Sequence, residues 1–138
     1  MNNFKLGIEC TSGSLLPAIT TNADVFWLHL DDNIDSERVL NLIERFSFTS
    51  NLKLIMTSGY MSECIHDKFD DLFEDRLYSN QIILTVWSED GFADSLWEFI
   101  NVHAARPDVG LAKLLIISES TLVQMGLLAE ISALAWVE

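Results

Sequence analysis

The chain has 138 residues, of which 49% are hydrophobic and 21% charged, with six glycines and two prolines. One folded domain with a real core fits that length and mix; wholesale disorder and fibrous repeats do not. Twenty-one acids against eight Lys and Arg leave a formal charge of −13. That field repels nucleic-acid phosphates and anionic membrane surfaces, and it favours basic partners or metal cations.

The first residues, MNNFKLGIEC, lack the basic start and apolar stretch of a signal peptide. The two cysteines, Cys10 and Cys64, are too few for a disulfide scaffold and read as reduced thiols of a cytoplasmic protein. Phe4, Leu6 and Ile8 alternate with Lys5, Gly7 and Glu9. That alternation fits a half-exposed edge strand. The following CTSGSLLPAITTN reads as an irregular connection.

Four apolar runs of strand length come next: VFWLHL (25–30), LKLIMT (52–57), IILTVW (82–87) and LLIIS (114–118). Near-continuous apolarity predicts strands buried on both faces, as in a parallel sheet covered by helices. Helical patterns separate them. Residues 35–46 open on the capping pair Asp35 and Ser36 and put Val39, Leu42, Ile43 and Phe46 on one face. Residues 61–78 align Ile65, Phe69, Leu72, Arg76 and Leu77, and residues 92–104 align Phe92, Leu96, Ile100 and His103. The last pattern, about 121–137, is apolar nearly all round. At 17 residues with Gln124 and Glu130 inside, it suits a packed helix better than a membrane span of about 20 apolar residues.

Strand and helix thus alternate, which predicts right-handed βαβ units. The expected fold is one three-layer α/β/α domain over 1–138, with a mostly parallel sheet of 4–5 strands in a doubly wound, flavodoxin-like or Rossmann-like arrangement.

In such sheets ligands bind beyond the carboxyl ends of the strands. Asp31 and Asp32, Glu89 and Asp90, and Glu119 follow three of the runs. As hard oxygen ligands they are candidates for a divalent metal site. Asp, Glu and Ser before helices also serve as caps and first-turn acids, and that reading is preferred, so no metal and no cofactor are expected. Lys113 precedes the last strand, which sets the chain apart from phosphoacceptor receiver domains. No GxGxxG, GxxxxGK[ST], CxxC or HxxxH spacing occurs. His29, His66 and His103 are scattered, and Cys64 with His66, two apart on a helix, do not face each other.

The 61–78 helix carries Glu63, Asp67, Asp70, Asp71 and Glu74 at i, i+4, i+7, i+8 and i+11. They line one face opposite the apolar stripe, with Lys68 at its margin. That face is the candidate docking surface for a basic partner. Trp97 and Trp136, with Phe92, Phe99 and Leu134, add apolar area on the last two helices, a candidate homodimer contact.

The stretch IILTVWSEDGFADSLWEFINVHAARPD (82–108) resembles a segment of small bacterial α/β proteins that share a Trp-bearing strand, an acidic turn and an aromatic helix. The resemblance covers about a fifth of the chain and implies the fold and a bacterial source. That family has no assigned activity. The favoured function is therefore a non-enzymatic acidic module that neutralises a basic protein, as immunity proteins and antitoxins do. The alternative is a divalent-metal-dependent phosphoryl-transfer or hydrolase domain working at the acidic sheet edge.

Overall fold

In Val25–Leu30 every residue is buried, and successive side chains go to opposite faces. Phe26, Leu28 and Leu30 enter one apolar cluster; Val25 and Trp27 enter the other. A strand with two apolar faces needs a cover on each, and the chain supplies both. The computed structural model describes residues 4–31, 35–75 and 82–135. Its elements run β1 (Lys5–Thr11), β2 (Thr20–Thr21), β3 (Val25–Leu30), α1 (Ser36–Glu44), β4 (Ser47–Phe48), β5 (Leu54–Gly59), α2 (Ser62–Asp75), β6 (Leu84–Ser88), α3 (Phe92–Glu98), β7 (Leu111–Ile117) and α4 (Thr121–Ala135).

Five strands form one sheet in the order β1-β7-β3-β5-β6. All its pairings are parallel. The α/β class with a mostly parallel sheet is as expected, and so is the edge position of the 4–10 strand. The short pair β2–β4 pins the connection after β1 to the end of α1.

Helices α1 and α2 cover one face through Val39, Leu42, Ile43, Ile65 and Phe69. Helix α3 with the turn that follows it, and α4, cover the other through Leu96, Phe99 and Ile131. Phe46 stacks on Phe26 at 5.7 Å and meets Phe69 edge-on at 5.3 Å. Each such ring buried contributes about 1.5–3 kcal/mol. Helix α1 begins where expected, with Asp35 accepting a hydrogen bond from the Arg38 amide at 3.2 Å.

Two expectations need correction. The run 82–87 is not buried on both faces. It is the far edge strand, and Ile82, Leu84 and Trp87 are 81%, 53% and 41% exposed. The helix over 92–104 is α-helical only to Glu98. Phe99–His103 continue as a π-helix, and the Ala104 amide donates to the Phe99 carbonyl at 2.8 Å. A π-turn adds one residue to the helix, and the buried positions there are Phe99 and Ala104, while Ile100 and His103 of the expected face are half-buried.

The amino end of the sheet is tied by Asp24. Its carboxylate accepts hydrogen bonds from the Gly110 amide at 2.7 Å, the Leu111 amide at 2.9 Å and the Asn51 side chain at 2.9 Å. Lys53 lies 3.6 Å away. Burial works to raise the pKa of this carboxyl. The bonds from Asn51, Leu111 and Gly110, together with the Lys53 charge, outweigh it and hold the pKa below the ordinary value.

Candidate functional site

The carboxyl ends of β3 and β7 form the switch point of the sheet. Helix α1 packs on one face and α4 on the other, and such a point is where ligands bind in sheets of this kind. Here the Ser118 hydroxyl donates to Asp31 at 2.8 Å, and the Gly13 amide donates to Glu119 at 2.6 Å. Arg38 sits nearby, but its guanidinium donates to the Gly13 and Leu16 carbonyls at 2.6 and 2.7 Å. Glu89 and Asp90 lie beyond β6 and are exposed. Asp32 falls outside the described residues. Among the described residues, Asp31, Glu89, Asp90 and Glu119 do not come together as a group of three metal ligands.

Capping at this edge is done by neighbouring residues. Ser120 accepts from the Val123 amide at the start of α4. Ser88 and Ser118 each close a strand-end turn by accepting the amide two residues on, from Asp90 and Ser120. Asp31 instead joins two strands.

Beside this edge lies a buried polar cluster on the α3 side. Trp27 Nε1 donates to Ser58 Oγ at 2.6 Å, and His29 Nδ1 lies 2.7 Å from the same oxygen. Phe92 closes edge-on over His29 at 4.8 Å. Ser58 is 1% exposed, and its oxygen already accepts the indole proton, which blunts a nucleophile. The cluster reads as a satisfied core network, and every described buried side-chain nitrogen and oxygen has a partner. The contact needs the β3–β5 register, in which His29 faces Ser58. Sequence spacing alone does not bring them together.

On α2, Glu63, Asp67, Asp71 and Glu74 are exposed and Asp70 is half-buried. Lys68 is turned away and pairs with Glu44 of α1 at 2.6 Å. That pair holds the Glu44 carboxyl below its usual range, though an exposed pair adds little stability. Asp67 and Asp70 are not simply solvated. His66, 8% exposed, reaches Asp67 with Nδ1 at 3.0 Å and the Thr85 carbonyl of β6 with Nε2 at 3.2 Å. The Asp70 carboxylate lies 3.6 Å from Nε2 and accepts from the Thr85 hydroxyl. A sorting by charge alone separates His66 from these acids and hides the group. The His66-x-x-x-Asp70 spacing, i and i+4 on a helix, is the signal that finds it.

Helix α4 buries Ile131 but leaves Leu122, Met125 and Leu128 exposed. Trp97 is also exposed, whereas Phe99 is buried. Trp136 and the Leu134 side chain lie outside what is described. Both cysteines are free, and burial, with Glu9 beside it, pushes the Cys10 thiol up. No helix among the described residues is long and apolar enough to cross a membrane. Comparison with protein-family models, with curated proteins and with solved structures finds no match to this chain.

Proposed function

We propose that this chain is a non-enzymatic acidic binding module that docks a basic protein on the outer face of α2. One observation carries the reading: four acids of that face stand exposed while its one lysine is occupied by Glu44. An acidic face with no free lysine or arginine of its own among the described residues, within a −13 chain, accelerates encounter with a cationic surface, and salt screens that gain. The reading draws on an analogy with immunity proteins and antitoxins, small acidic proteins that neutralise a basic partner, one of type rather than of sequence. Free thiols favour a cytoplasmic setting, and the resemblance of 82–108 favours a bacterial one.

The alternative, metal-dependent phosphoryl transfer or hydrolysis at the switch point, has less support. An anionic substrate there needs a cation to hold it, and Arg38 is spent on two carbonyls.

The test is charge reversal at Glu63 and Asp71, which lie clear of the His66 group. With a basic partner recovered by affinity capture, Glu63→Lys/Asp71→Lys should slow association about 10-fold at low salt and flatten its salt dependence. Unchanged rate and salt dependence would reduce the face to solvated surface.

The same proposal includes self-association. The exposed Leu122 and Met125, at 81% and 61%, give α4 an outward apolar stripe that a second copy would cover. Sedimentation at micromolar protein should show a dimer, and Leu122→Glu/Met125→Glu should return it to monomer. A wild-type monomer across that range refutes it.

A further inference from the structure

The His66 group does not rest on the docking reading, because its chemistry concerns the protein alone. The imidazole is enclosed by acceptors. Nδ1 faces Asp67 Oδ1 at 3.0 Å; Nε2 faces the Thr85 carbonyl at 3.2 Å and Asp70 Oδ2 at 3.6 Å. A neutral imidazole carries one N–H. In either neutral tautomer one ring nitrogen directs its lone pair at oxygen atoms that have no proton to give. Either a second proton or a metal ion on that nitrogen satisfies the arrangement, and titration with metal separates the two.

The tautomer matters. With the proton on Nδ1, Asp67 accepts it and fixes the ring, and the Nε2 lone pair points at Asp70 and the Thr85 carbonyl. A carboxylate holding the far N–H of a histidine is the usual support of a metal-bound imidazole. With ligand bonds of about 2.1 Å, Nε2···O separations of 3.2 and 3.6 Å subtend about 99° and 118° at a shared ion. Those angles lie near tetrahedral. His66, Asp67 and Asp70 form one cluster of ligand-type atoms within 4.8 Å of one another, in which Asp67 takes the Nδ1 side and Asp70 the Nε2 side. The elements hold the donors still: i and i+4 on α2 align His66 with Asp70, and Trp87 packs on the imidazole at 4.7 Å between ring centres.

We propose that His66 Nε2, Asp70 and the Thr85 carbonyl bind a first-row divalent ion of the zinc or nickel type, with Asp67 orienting the ring. Imidazole with carboxylate suits such ions, whereas Mg²⁺ and Ca²⁺ take oxygen-only sets. The negative field of the chain adds to the attraction. Water completes the coordination on the exposed side of Asp70.

The experiment is calorimetric titration of the full chain with ZnCl₂ and with NiCl₂. One-site binding in the micromolar range is expected, with MgCl₂ at least 10-fold weaker. His66→Gln should weaken Zn²⁺ binding 100-fold or more, and Asp67→Asn about 10-fold, as for other orienting carboxylates. Glu63→Gln/Asp71→Asn, which removes as much charge or more nearby, should change it less than 2-fold. Ni²⁺ should quench tryptophan emission, and Trp87→Phe should abolish most of that quenching at unchanged affinity. If His66→Gln fails to fold, Asp67→Asn and the Trp87 quenching still decide. Absence of saturable binding, or equal losses in His66→Gln and Glu63→Gln/Asp71→Asn, would leave His66 as a plain cap on the Thr85 carbonyl and overturn the site.

Discussion

Replacing Gly59 with alanine should cost about 3 kcal/mol or more, enough to leave a marginally stable domain partly unfolded. Gly59 ends β5 at φ +85°, in the region that L side chains rarely enter. A Cβ there would lie 2.0 Å from the Leu30 carbonyl oxygen and 3.0 Å from its carbon. That carbonyl cannot simply retreat, because it accepts the Tyr60 amide at 2.8 Å. Relief therefore requires breaking the turn that leads from β5 into α2, or separating β5 from β3. Either displaces Ser58 from His29 and Ile65 from the core. Gly91→Ala is the control: its Cβ meets nothing within 4 Å. Denaturant unfolding followed by circular dichroism reads both. A Gly59→Ala unfolding free energy within about 1 kcal/mol of wild type would show that the turn yields more easily than its geometry implies.

The second large effect falls on Asp24. Asp24→Ala should lose about 3 kcal/mol, because two backbone amides and the Asn51 side chain lose a charged acceptor together. The carboxyl also makes stability depend on pH. Its folded pKa lies below the ordinary 3.8. Its contribution is therefore complete above the unfolded value and is lost as pH falls through the folded one. Unfolding free energies of wild type and Asp24→Asn should differ most near neutrality and converge in acid, as pH falls through the lowered folded value. Curves that stay parallel from neutral to acid would remove Asp24 as the source of the acid limb.

Burial pattern and turn chemistry made much of the fold legible. The run 25–30 is a strand at the expected bounds because five apolar residues and His29, with β-branched and aromatic members, fit a strand by length and composition. Asp35 starts α1 where its side chain predicts. The acids of α2 are on one face because helical periodicity puts them there.

What sequence patterns could not supply was neighbourhood. The run 82–87 is as apolar as 25–30, yet β6 is an edge and β3 is central. A strand's own residues do not record whether another strand lies beyond it. The π-turn after Glu98, the positive φ at Gly59 and the tie from Asp24 to Gly110 across 86 positions all depend on where distant backbone comes to rest. So does the His66 group, half of which is written in α2 as His66, Asp67 and Asp70. The other half, Thr85 and Trp87, arrives only when β6 pairs with β5.

Local periodicity and capping chemistry thus determined the helices, the strands and the acidic face, because these rest on contacts within a few residues. Strand order decided which strands became edges, that Asp31 meets Ser118, and that His66 faces oxygen on both sides. Those contacts arise from register between segments far apart in the chain, and the free energy that selects that register belongs to the whole core rather than to any one stretch.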